Sequence, residues 1–174
     1  MPINLNDAQV KFTEHLKASG KADSTVIAYR KDVEQLLDFV SKRGKTTISE
    51  ILAEDIDEFK ELLNKQRYTS KSISRKINSI KSFFRFLISE GLADVNPTTN
   101  ISHPKIEQSP PRVLSRLEYR ALRDACRGDA RMYAIVELLL QTGMRISELA
   151  ALTVTDLDME RELIHIQAQN SRDA

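Results

Sequence analysis

The chain has 174 residues, enough for one domain or two small ones, and 41% of them are hydrophobic, which suffices for a core. Its net charge is only +1, with 17 Lys and Arg against 15 Asp and Glu through Gln108 and 9 against 10 afterwards, so a nucleic-acid surface must be a local cluster. A single cysteine, Cys126, excludes an internal disulfide and fits a reducing cytoplasm, while no secretory signal or membrane-length apolar run is present.

Four amphipathic helices are predicted in the first hundred residues. Asn6 or Asp7 caps the first, which carries Val10, Phe12 and Leu16 inward and stops at Gly20. Asp23-Ser24-Thr25 opens the second, which runs to about Lys42 on a stripe of Val26, Tyr29, Val33, Leu36, Leu37 and Val40. After Gly44 and a short link from Thr46 to Ile51, the third turns Ile56, Phe59, Leu62 and Leu63 inward. The fourth begins at Ser70, ends before Gly91 and buries Ile73, Ile77, Ile80, Phe84, Leu87 and Ile88. Short connections between amphipathic helices predict a compact bundle.

The fourth helix and its approach are also the basic part of the chain. Lys65, Arg67, Lys71, Arg75, Lys76, Lys81 and Arg85 fall in one window without a single acidic residue. On a helical wheel Lys71, Arg75, Asn78 and Ser82 share a face away from the Ile77–Phe84 stripe, flanked by Lys81 and Arg85. A charged helix face is ordinarily solvated surface. Long cations interleaved with small hydroxyl and amide groups are also what a phosphate backbone needs for close approach. Tyr68 packs either on a sugar or on the bundle itself.

Asn96-Pro97, His103-Pro104 and Ser109-Pro110-Pro111 interrupt the helical pattern, because proline lacks the backbone donor a helix requires. This predicts a domain at 1–99, a linker at 100–112 and a second domain at 113–174. Ser115 and Glu118 form a capping box for a fifth helix, with Leu117, Ala121, Leu122 and Ala125 inside. Asp129 to Gln141 reads as a sixth helix, ended by Gly143 in a left-handed conformation. Arg145 then sits on a tight bend as a short helix from Ser147 to Leu152 begins, with Glu148 three residues on and Leu149 and Leu152 turned inward. From spacing alone, this is a helix corner with a surface salt bridge of little energetic value. Thr153 to Met159 reads as turn and extended chain, and Glu162 to Gln167 alternates as one strand. A lone strand leaves backbone groups unsatisfied, so its partner is expected in further sequence or another chain.

The string Thr142-Gly143-Met144-Arg145-Ile146-Ser147-Glu148-Leu149, continuing through Leu152 to Asp156, resembles the first catalytic-arginine box of the tyrosine recombinases, the phage-integrase family, and most closely its Xer-type members. Upstream, Ser24-Thr25 with Tyr29 and Asp32 resembles the second helix of the family's core-binding domain. Ser74-Arg75 through Phe83-Phe84 and Phe86, followed by Gly91 and Asn96-Pro97, resembles its fourth helix and exit. The resemblance implies a mainly α chain: a four-helix SAM-like core-binding domain, a linker, and the start of an α+β integrase catalytic domain.

It further implies site-specific recombination on double-stranded DNA with other recombinase protomers as partners, and no metal or nucleotide cofactor. In that reaction a tyrosine hydroxyl attacks a phosphodiester, and a second strand's hydroxyl reverses the link. Arg145 matches the arginine that stabilises charge on the nonbridging oxygens, and Glu148 matches an acidic position that braces the turn. With the resemblance added to its charge pattern, the window from Lys65 to Arg85, with Asn78 and Ser82, is expected to contact phosphates and a few major-groove base edges. The remaining catalytic groups have no match. Tyr29, Tyr68, Tyr119 and Tyr133 all precede Arg145, no lysine follows Lys105, and His165 lacks an arginine three positions on. Either Arg172 substitutes for the missing lysine, or that lysine is expected in further sequence. The expectation is an amino-terminal portion of such an enzyme that does not cleave DNA alone. Two other readings stay open: a non-catalytic DNA-binding relative, or a helical interaction module.

Overall fold

A computed structural model of the chain describes residues 3–106 and 110–166 and divides it into two units, Met1–Gln108 and Ser109–Ala174. In the first unit, α1 (Leu5–Ala18), α2 (Asp23–Ser41), α3 (Ala53–Lys65) and α4 (Ser70–Ser89) form the predicted bundle, with α2 against α1, α3 and α4.

The helix starts follow from side-chain capping. Asn4, not Asn6 or Asp7, caps α1 by accepting the Asp7 backbone N–H at 2.8 Å. The α1 stripe is therefore Ala8, Phe12 and Leu16, spaced by four, and Val10 lies on the opposite, exposed face. Ala22 occupies the cap position of α2 without a side-chain bond, and Asp23 stands in the first turn, where the helix dipole favours a carboxylate. Glu50 accepts the N–H groups of Thr46 and Thr47 at 2.7 and 2.8 Å, shaping the link into α3. Thr69 caps α4 by accepting from Ser72 N–H.

Aromatic rings fill the core. Phe12 meets Phe83 edge-on at 5.2 Å between centroids, Phe83 meets Phe84 at 5.3 Å, and Phe39 meets Phe59 at 5.5 Å. Ile88, expected inside, is partly exposed, and Phe83 and Phe86 are buried in its place. The start of the predicted linker also belongs to this unit. Ile101 is buried in the core, Lys60 Nζ donates to the Ser102 carbonyl, and Ser74 Oγ lies 3.1 Å from His103 Nδ1.

The second unit holds α5 (Arg116–Ala125), α6 (Ala130–Thr142), α7 (Ile146–Ala151) and a hairpin of β1 (Leu157–Asp158) and β2 (Leu163–Ile164). The capping box of α5 forms as expected: Ser115 Oγ accepts Glu118 N–H, and Glu118 accepts Ser115 N–H. Asp129 Oδ1 caps α6 through the N–H groups of Arg131 and Met132. The strand does find its partner within the chain. Leu157 pairs with Ile164 and Asp158 with Leu163, antiparallel, across a turn in which Asp158 Oδ1 accepts from Glu160 and Arg161. The sequence pattern hid this because two paired residues on each side are too few to alternate visibly. Gln167 and Arg172 lie outside the described residues.

Leu117, Ala121, Leu122 and Ala125 are exposed rather than inside, and Met144 is the one buried apolar residue of this unit among those described. An amphipathic helix buries its stripe only where another element covers it, and the principal packing of α5 is against α6 alone.

Candidate nucleic-acid interface and arginine corner

Gly143, at φ +67°, ends α6, and its N–H returns to the Leu139 carbonyl at 3.1 Å. The chain then drops Met144 into the unit and leaves Arg145 extended, at φ −75° and ψ 152°, as the residue before α7. Glu148 folds back to this turn: Oε2 accepts the Arg145 backbone N–H at 2.6 Å, and Oε1 accepts from Nη1 at 2.7 Å. The Arg145 backbone N–H, and after it the guanidinium, hold the Glu148 carboxyl below the usual carboxylate range. Glu148 is well covered, with a side chain 13% exposed, whereas the Arg145 side chain is 82% exposed. One edge of the guanidinium is engaged and the rest of its donor fork faces solvent, which is the arrangement an anion-binding arginine needs. Leu149 and Leu152 are half-buried, and His165 stands exposed just past β2, its N–H donating to the Asp156 carbonyl.

In the first unit, α4 presents its predicted polar face. Lys71, Arg75, Asn78 and Arg85 are exposed, Lys81 and Ser82 are half-buried, and Lys65 and Arg67 stand exposed just before the helix. Lys76 has a different position. Its side chain is 8% exposed and its Nζ donates to Asp32 Oδ1 at 2.9 Å and Gln35 Oε1 at 2.7 Å, over the Tyr68 ring. Lys76 falls one residue after Arg75 and one before Ile77, which turns it into the α2–α4 seam, and only a facing carboxylate makes that burial tolerable. Tyr68 packs on the bundle, its hydroxyl accepting from Gln35.

Sequence reasoning named Asp32 and Ser74 only within the resemblance and His103 only in the linker, and gave none of the three a part in the site. Asp32, a carboxylate within the apolar stripe of α2, gathers Lys76, Arg75 and Ser79; its place between Tyr29 and Val33 was the available signal. Ser74 and His103 meet beside Lys60 and Lys81. Burial, then the charges of Lys81 and Lys60, push the His103 imidazole below its ordinary value. No sequence pattern links residues 29 positions apart. Among the described residues no group of three or more His, Cys, Asp or Glu is placed to hold a metal ion, and no helix is long and apolar enough to cross a membrane.

Comparison with known proteins covers both units. Residues 10–91 match the phage integrase N-terminal SAM-like domain, and residues 112–174 match the phage integrase family. The chain is 36% identical over 174 residues to the tyrosine recombinase XerC of Roseiflexus sp. (strain RS-1), covering 97% of this chain and 56% of that protein. It is 35% identical over 155 residues to the tyrosine recombinase XerD of Rickettsia bellii, covering 84% of this chain and 50% of that protein. The chain spans about half the length of the curated relatives it matches. Its fold is similar to a lambda integrase crystallised as a dimer bound to a COC' core site, with a TM-score of 0.73 and 19% identity, over 90% of this chain and 44% of that one.

Proposed function

Since the chain belongs to the phage integrase family of tyrosine recombinases, we propose that it serves site-specific DNA recombination, gripping duplex DNA with α4 and supplying the first catalytic arginine, Arg145. The observation that carries this reading is the exposed polar face of α4, where Lys71, Arg75, Asn78 and Arg85 stand with no acidic residue among them. Lys65, Arg67, Lys81 and Ser82 extend the face, and Lys76 supports it from within. Residues 1–99 act as the core-binding domain together with the first residues of the 100–112 connection, which pack on it through Ile101 and Ser102, and residues 113–174 belong to the catalytic domain. Similarity to integrases crystallised with DNA, in dimers and tetramers, supports duplex DNA and further protomers as partners.

At the arginine corner, a scissile phosphate would meet the free edge of the Arg145 guanidinium, while Glu148 fixes the other edge. A donor of this kind contributes about 10²–10³ in rate by stabilising charge that develops on the nonbridging oxygens. In the order the family resemblance implies, the attacking tyrosine lies far downstream of the first arginine, whereas every tyrosine here precedes Arg145.

Duplex binding measured across a salt series tests the reading. Neutralisation of about five phosphates gives a slope of log K against log salt near −4 to −5. A slope near zero removes the DNA-binding assignment and leaves a helical interaction module. In the same material, nicked suicide DNA should trap no covalent adduct; formation of one would place a nucleophile within the 174 residues.

A further inference from the structure

Resting on the DNA-binding reading above, we infer that Asp32 is a positioning residue for DNA contact: its buried carboxylate holds Arg75 at the surface in a phosphate-ready pose. Asp32 itself is 1% exposed and never reaches DNA. Its two oxygens are fully employed. Oδ1 accepts from Lys76 Nζ at 2.9 Å, and Oδ2 accepts from Ser79 Oγ at 2.9 Å and from Arg75 Nη1. Lys76 is anchored a second time by Gln35 Oε1 at 2.7 Å, which fixes the ammonium that faces the carboxylate.

Of its three donors only Arg75 reaches the surface, with a side chain 47% exposed. Among the described residues Nη1 is the one guanidinium nitrogen with a protein partner, which leaves Nη2 and Nε for a phosphate. A flexible arginine loses rotamer freedom on binding, and a guanidinium already pinned at one nitrogen loses less. Lys76 has the complementary task. Without an ammonium inside the seam, a lone buried carboxylate would draw Arg75 inward as its sole counter-ion, whereas the shared arrangement lets the guanidinium remain at the rim.

Simple charge counting predicts the opposite sign from positioning, which makes the idea testable. Replacing Asp32 by Asn raises the net charge of a DNA-binding face and, by long-range attraction alone, tightens binding. Positioning predicts that Asp32→Asn weakens duplex binding by about tenfold, the worth of one charge-assisted contact, and lowers the salt slope by about one. The loss should vanish when Arg75 is already Ala and persist when Lys71 is already Ala. Equal or tighter binding by a folded Asp32→Asn chain overturns the inference, as does an unchanged loss in the Arg75→Ala background.

If Asp32→Asn alone fails to fold, the chain carrying Asp32→Asn with Lys76→Met removes both buried charges together. There Arg75→Ala should cost almost nothing, against about tenfold in the unaltered chain; a full tenfold cost overturns the idea. Failure of the unaltered chain to bind duplex DNA removes the proposed function as well, so the two failures are told apart by the starting protein.

Discussion

Glu148 holds Arg145 at both ends, taking its backbone N–H at 2.6 Å and its guanidinium Nη1 at 2.7 Å. The backbone bond sets the extended conformation at the start of α7, and the side-chain bond sets where the guanidinium lies. An exposed arginine with only the second contact would sample many rotamers; with both, its base and tip are referred to one well-covered carboxylate.

This pairing is sensitive to acid. Hydrogen bonding from Arg145 depresses the Glu148 carboxyl, so its contribution to the fold is complete above the ordinary carboxylate pKa and is lost as pH falls through the lowered folded value. The Arg145 amide resonance should therefore titrate below the usual carboxylate range. Glu148→Ala should abolish that titration and speed exchange of the Arg145 amide by about tenfold, the effect of losing one charge-assisted bond.

Lys71 and Lys76 are both lysines on α4, yet they should behave oppositely. Lys71 is exposed, and Lys71→Ala should leave the unfolding midpoint unchanged while weakening duplex binding and reducing the salt slope by about one. Lys76→Ala removes the buried partner of Asp32 and should cost about 3 kcal/mol of stability, read from denaturant unfolding. If Lys76→Ala leaves stability intact, the seam between α2 and α4 is not held as described.

His103 offers a pH signature. Burial and the charges of Lys81 and Lys60 lower its pKa, so protonation opposes folding: its contribution is complete above the unfolded histidine value and declines as pH falls through the folded one. Ser74 is its hydrogen-bond neighbour, and Lys60 also pairs with Asp57. A DNA phosphate near Lys81 and Lys60 would offset their repulsion. The His103 ring, followed by NMR, should titrate below the ordinary range in the free chain and shift upward on adding duplex DNA. An unmoved midpoint would place the duplex away from this edge of the bundle.

The two units should respond differently to core-type substitutions. Phe12, fully buried against Phe83, should cost about 3–5 kcal/mol on replacement by Ala. Leu117 is largely exposed, and Leu117→Ser should shift stability by no more than about 0.5 kcal/mol. Denaturation followed by circular dichroism separates these outcomes.

Local chemistry accounts for what was legible in the sequence. The Ser115–Glu118 capping box, the Gly143 stop and the stripes on α2 and α4 each depend on residues within a turn or two of each other, so spacing alone reveals them. The string around Arg145 likewise placed Glu148 within reach, because three residues on a helix start bring a side chain back to the first N–H. Other features depend on what lies across a seam, and there spacing was silent or misleading. Lys76 read as one more surface cation until Asp32, 44 positions away, supplied the charge that lets an ammonium be buried. Leu117 and Leu122 read as core, yet burial requires a covering element and not merely an apolar stripe. The sequence by itself determined the order of the α-helices, the capping box of α5, the glycine stop of α6 and which arginine sits at the turn. Only the tertiary structure decided which charged groups face water, since that choice rests on partners brought together from distant parts of the chain.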